Sequence, residues 1–145
     1  KGEGKEYLEF LVKNLKPFID KQYRTLPGRE NTFVAGSSMG GLISMYAILR
    51  YPDVFGGAGV FSPAFWVGPA IFDDIRLLGE KARAKIFFYA GDAEGEVMVP
   101  DTEKAYELSQ QFSGLKATIV IRKEGQHNEA RWRAEFPAFY KWMME

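Results

Sequence analysis

Leu8, Leu11, Val12, Leu15, Phe18 and Ile19 recur at three- and four-residue intervals, with Lys and Glu between them. That is the period of a helix with one apolar face. Pro17 falls inside the pattern and predicts a kink, because it cannot donate to the carbonyl of Lys13. After a turn at Leu26-Pro27-Gly28, the periodicity changes. Residues 31–36 read as a short buried strand, and Leu42 to Tyr51 as a helix stopped by Pro52. Gly57 to Phe61 is a second strand, rich in small residues. The loop Ser62-Pro63-Ala64-Phe65-Trp66 leads to a helix over about 70–80. Lys85 to Ala90 is a third strand bounded by Gly91. Asp101 is placed as the N-cap of a helix reaching Phe112, with Glu103 favourable in its first turn. Lys116 to Arg122 is a fourth strand. A last helix over 128–144 is amphipathic through Trp132, Phe136, Phe139 and Tyr140, all expected to pack as core, and Pro137 is a second candidate kink.

Strands that alternate with helices require right-handed crossovers and a mainly parallel sheet. The expected fold is therefore α/β, a single layered unit with about four strands and flanking helices. There is no internal repeat, low-complexity tract or linker.

Composition narrows the function classes. Twelve Phe, seven Tyr and three Trp among 145 residues are a globular content. Nineteen basic residues balance nineteen acidic ones, so no net field gathers nucleic acid or an anionic membrane. Without cysteine, thiolate catalysis, disulfides and sulfur-ligated metals are excluded. No apolar run approaches the length of a bilayer-spanning helix.

The chemistry is concentrated in Gly36-Ser37-Ser38-Met39-Gly40, followed by Gly41. It lies between a predicted strand and a predicted helix, where a G-x-S-x-G elbow lifts its serine hydroxyl off the sheet. Glycines two before and two after the serine are expected where a Cβ would meet neighbouring backbone. The helix behind Ser38 offers unpaired N–H groups, and that of Met39 is a candidate donor to an oxyanion. The bare pattern arises by chance in roughly one chain of this length in twenty, so the rest of the constellation matters. A serine hydroxyl needs a base, and the base needs an orienting acid. His127, the only histidine, follows the last strand. Asp92, Glu94 and Glu96 follow the third. Serine, acid and base then succeed one another at strand ends along one sheet edge, where doubly wound sheets place ligands.

Several segments resemble a known group of α/β-hydrolase esterases. They are Val34 to Gly41, Tyr51-Pro52-Asp53-Val54-Phe55-Gly56, Phe61 to Trp66, Gly91-Asp92-Ala93-Glu94 and Gly125-Gln126-His127-Asn128. The group includes esterase D, feruloyl and acetyl-xylan esterases, siderophore esterases and mycolyltransferases. The resemblance spans essentially the whole chain. It implies a three-layer sheet, Ser38 as nucleophile and His127 as base. By position it implies Glu94 rather than Asp92 as the acid, although the family more often carries Asp there. Phe65 and Trp66 match an aromatic segment near the substrate pocket of such enzymes, with Trp66 the candidate substrate contact.

A complete domain of this kind has about eight strands. Residues 1–145 are accordingly expected to be its C-terminal part, with the first strands, a second oxyanion donor and a neighbour for the Ser38 strand supplied by a missing N-terminal half. The expected activity is hydrolysis of a feruloyl, acetyl-carbohydrate or siderophore ester through an acyl-enzyme. No metal or organic cofactor is implied. Two alternatives are acyl transfer by the same triad and a non-catalytic binding or assembly module.

Overall fold

The computed structural model describes residues 2–145. Four strands form one sheet in the order β1-β2-β3-β4: β1 (Phe33–Ser37), β2 (Gly57–Phe61), β3 (Ala84–Gly91) and β4 (Leu115–Arg122). Every neighbouring pair is parallel. The helices are α1 (Gly4–Phe10), α2 (Lys16–Gln22), α3 (Met39–Arg50), α4 (Ile71–Leu78), α5 (Met98–Gln110) and α6 (Glu129–Met144).

Alternate residues of β3 divide the core into two layers. Ile86 and Phe88 face a cluster with Met45, Ile48, Ile75 and Ala105 from α3, α4 and α5. Phe87 and Tyr89 face the other side, where they pack with Phe61 of β2 and with Phe139 and Met143 of α6. A sheet covered on both faces explains why β2 and β3 are continuous apolar runs without alternation.

The expected interruption at Pro17 takes the form of a wider turn: Pro17 sits in the first turn of α2, and the chain before it, Leu11–Leu15, widens into π-helical turns. The N–H of Lys16 reaches back five residues to the carbonyl of Leu11. The wider turn absorbs the hydrogen bond that Pro17 cannot make.

Three expectations are corrected. The helix after Ser38 starts at Met39, three residues before Leu42, because the elbow turns directly into it. Asp101 is not an N-cap. Its helix begins at Met98, which puts Asp101 in the first turn, where its charge still favours the dipole. Of the aromatics expected to pack α6 into the core, Phe139 is buried, but Phe136 and Tyr140 are about half exposed. Phe136 instead lines a groove beside β1.

β1 ends the sheet on one side. The N–H of Ser38 and the carbonyl of Thr32 both bond β2. By the alternation of a parallel ladder, the peptide groups of Phe33, Ala35 and Ser37 therefore face away from it. Two grooves flank this edge. One of about 540 Å³ runs between Ala35–Ser37 and Trp132, Phe136 and Pro137. The other, about 580 Å³, lies between Leu11, Leu15 and Ile19 of the first helical stretch and Phe33, Phe55 and Met144.

Candidate active site

Ser38 occupies the turn from β1 into α3 with φ 57° and ψ −117°. Such a conformation costs a residue with a Cβ about 1–3 kcal/mol and persists only where the surroundings enforce it. Here its N–H donates to Phe61 O (2.9 Å), and its carbonyl accepts from Ala64 N–H (3.0 Å) as well as from Gly41 and Leu42. The elbow is thus tied to the end of β2 and the loop beyond it.

The glycine requirement falls partly where the motif places it. A Cβ on Gly36 would lie 2.7 Å from the backbone of Gly40. One on Gly40 would meet nothing within 4 Å, contrary to expectation. The second close approach belongs to Gly41, whose Cβ would sit 2.9 Å from Phe61 O. Met39 is the first residue of α3, so its N–H has no carbonyl one turn earlier within the helix and stands beside Ser38.

His127 lies beyond β4, three strands from Ser38. At about 4.8 Å per strand the β1 and β4 backbones stand about 14 Å apart. The loops after β3 and β4 fold against each other. Gly91 and Gly125 are in backbone contact; a Cβ on Gly125 would come within 2.7 Å of Gly91 Cα. Asp92 N–H donates to Arg122 O and Ala93 N–H to Gly125 O, each at 3.1 Å. From there Asn128 caps α6 by accepting from Arg131 N–H. The first turn of α6 then reaches the loop after β2.

The loops bring His127 Nδ1 to 2.6 Å from Glu94 Oε2. Glu94's other oxygen accepts from Gly91 N–H at 2.6 Å and from the Ser62 hydroxyl at 2.8 Å. Its side chain is 0% exposed, whereas 36% of the imidazole's is. Asp92 is employed elsewhere: its Oδ1 accepts from Glu124 N–H (2.6 Å), holding a residue with φ 57°. Glu96 is exposed. Among the described residues no hydrogen bond joins the Ser38 hydroxyl to His127.

Phe65 and Trp66 have separate fates. Phe65 is buried edge-on against Phe72, while Trp66 is 48% exposed on the short 3-10 turn that follows the segment bonded to Ser38. Trp132, expected as core, is half-buried and polar in its role. Its Nε1–H donates to Ser62 Oγ at 2.8 Å, and its ring stands edge-to-face with His127 at 4.9 Å. Ser62 was not singled out by sequence reasoning either. It is fully buried with φ 42°, and it follows β2 as Ser38 follows β1, which was the available signal. Beneath these groups, burial and then the charges of Glu94 and Glu135 hold the Tyr89 phenol above its ordinary value.

A parallel sheet with helices on both faces, a serine on a strained strand-to-helix turn and a carboxylate–imidazole pair at the same edge define an α/β-hydrolase-type protein. The chain belongs to the Esterase family ("Putative esterase"), which it matches over residues 1–143. It is 29% identical over 133 residues to the endo-1,4-beta-xylanase/feruloyl esterase of Xylanibacter ruminicola, covering 92% of this chain and 17% of that protein. It is 31% identical over 132 residues to the iron(III) enterobactin esterase of Escherichia coli, covering 85% of this chain and 30% of the other. The crystal structure of the BES protein from Bacillus cereus superposes with a TM-score of 0.88 at 19% identity, over 99% of this chain and 55% of that one. The chain thus spans little more than half of that structure and less than a third of each of the two relatives.

Proposed function

We propose that this chain carries the reacting groups of a serine ester hydrolase, with Ser38 as nucleophile, His127 as general base, Glu94 as orienting acid and Met39 N–H as one oxyanion donor. The observation that carries the reading is the buried Glu94 carboxylate, held by two donors on one oxygen and turned with the other toward His127 Nδ1. A carboxylate on Nδ1 keeps the proton there and leaves Nε2 as a lone pair, the form that accepts a proton from serine.

In the proposed reaction, Ser38 Oγ bonds to the ester carbonyl carbon as His127 Nε2 takes the hydroxyl proton. The carbonyl oxygen becomes an oxyanion beside Met39 N–H and the N-terminus of α3. His127 returns the proton to the leaving alcohol, and an acyl group remains on Ser38. Water then gives its proton to His127 and attacks the acyl carbon, and the acid leaves with Ser38 re-protonated. The Glu94 carboxylate faces the imidazolium and stabilises it.

An aromatic acyl or alcohol group, as in feruloyl or siderophore esters, fits the exposed indole of Trp66 beside the elbow; acetyl-carbohydrate esters use less of that surface. The activity is assigned to a longer protein, in which preceding strands pair with the free edge of β1 and cover its two grooves. A second oxyanion donor would come from that portion. The test is hydrolysis of p-nitrophenyl acetate by the full-length protein and by Ser38→Ala. Turnover in the variant should fall by at least about 10³-fold; wild-type turnover in Ser38→Ala would end the assignment.

A further inference from the structure

We infer that Trp132 and Ser62 are positioning residues for the acid–base pair, acting as a one-way chain of hydrogen bonds that sets the tautomer of His127. The inference rests on the ester-hydrolase reading above for its consequence in turnover, and on geometry alone for its structural part. The chain runs from Trp132 Nε1 to Ser62 Oγ (2.8 Å), from Ser62 Oγ to Glu94 Oε1 (2.8 Å), and from Glu94 Oε2 to His127 Nδ1 (2.6 Å).

Its direction follows from what each group can do. An indole nitrogen only donates, so Ser62 Oγ must accept from Trp132. A hydroxyl has a single proton, and Ser62, fully buried, places that proton on Glu94. Gly91 N–H also donates to the same oxygen at 2.6 Å. Two donors on Oε1 leave Oε2 as the acceptor aimed at the ring. His127 must then carry its proton on Nδ1. Trp132 occupies one of the two acceptor positions on the Ser62 oxygen, and the single hydroxyl proton is left to Glu94 Oε1.

Trp132 acts at a second point. Its ring meets the imidazole edge-to-face at 4.9 Å and 88°, which limits rotation of a side chain otherwise 36% exposed. It stands five residues after His127, in the first turn of α6. Ser62 in turn holds φ 42°, a conformation normally left to glycine. Its N–H is bonded to Tyr89 O at 2.7 Å, so the strained backbone is clamped from β3.

The experiment uses Trp132→Phe, which keeps an aromatic ring and deletes only the donor, and Ser62→Ala in the full-length protein. Should Ser62→Ala not fold, Ser62→Gly removes the same hydroxyl at a backbone that glycine accepts freely. The first readout is the tautomer of His127 by long-range ¹H–¹⁵N correlation, assigned from the signals lost in His127→Gln. The second is kcat and KM for p-nitrophenyl acetate. We expect the wild-type ring almost wholly in the Nδ1–H form and a clear Nε2–H population in both variants. In parallel, kcat should fall about 10- to 100-fold with KM within about 2-fold. Unchanged tautomer in both variants overturns the inference, including when kcat falls, because that loss would then be one of packing. A wild-type kcat in both variants also overturns it. Failure of the ester-hydrolase reading is separable: Ser38→Ala would retain turnover whatever the tautomer does.

Discussion

Replacing Glu94 by glutamine isolates the charge and tautomer of the pair from its shape. Glutamine is isosteric, and its orientation is dictated by surroundings already on the acid. Gly91 N–H and the Ser62 hydroxyl both donate to one terminal atom, so that atom must be the amide oxygen. Turning the amide over would set an NH₂ against Gly91 N–H inside a site with no exposure of the side chain. The amide NH₂ therefore faces His127 Nδ1, which becomes an acceptor, and the ring proton moves to Nε2. A base in the wrong tautomer cannot accept the serine proton, and the analogous loss in a serine protease triad is about 10⁴ in kcat. That is about 5 kcal/mol of transition-state stabilisation. Stability should change little, by about 1 kcal/mol, since the bonds to Gly91 and Ser62 persist. The assay is steady-state hydrolysis of p-nitrophenyl acetate with a thermal melt on the same sample. As control, Asp92→Asn keeps the acceptor for Glu124 N–H and should retain kcat within about 3-fold. The reasoning is refuted if Glu94→Gln keeps more than about a tenth of wild-type kcat, or if Asp92→Asn loses as much.

Two further outcomes test the scaffold. Gly36→Ala forces a methyl to 2.7 Å from the Gly40 backbone, so the elbow must open. We expect about 1–3 kcal/mol of lost stability by denaturant titration together with lost turnover, and an unchanged midpoint would contradict the contact. Tyr89 tests the buried electrostatics. Its folded pKa is raised, chiefly by burial and then by Glu94 and Glu135, so the unfolded chain loses that proton first. Stability from this group is complete below the ordinary value near 10 and declines as pH rises toward the folded value. Tyr89→Phe should therefore lose less stability than wild type between about pH 9 and about pH 11, followed by urea midpoints; parallel curves would refute it.

The chain's layers were readable because periodicity survives burial. Strands β2, β3 and β4 fall within a residue or so of where apolar runs and small-residue content put them. Helix starts were less legible. Asp101 looks like a cap by residue type, yet the backbone was already helical from Met98, since side-chain preference at one position yields to the packing of Met98 and Thr102. Ser38, Glu94 and His127 were readable as candidates because each follows a strand end at a motif position. Ser62 and Trp132 were not. A serine in a loop and a tryptophan on an amphipathic helix carry no local pattern. Their hydrogen bond joins the loop after β2 to the first turn of α6, 70 residues on, a long-range arrangement that neither segment encodes alone.

The exposed faces of Phe136 and Tyr140 belong with the same lesson. Helical periodicity marks them as apolar positions but does not say what covers them. Phe136 borders the groove along the edge of β1 that has no neighbouring strand among the described residues.

In the proposed reaction the Ser38 Oγ takes the acyl group. The direct measurement is labelling of the full-length protein with a fluorophosphonate probe, read by intact mass and peptide mapping. One adduct on Ser38, lost in Ser38→Ala and much slowed in His127→Gln, is the predicted result. An adduct on another residue, or an unlabelled Ser38 in protein that hydrolyses p-nitrophenyl acetate, would contradict it.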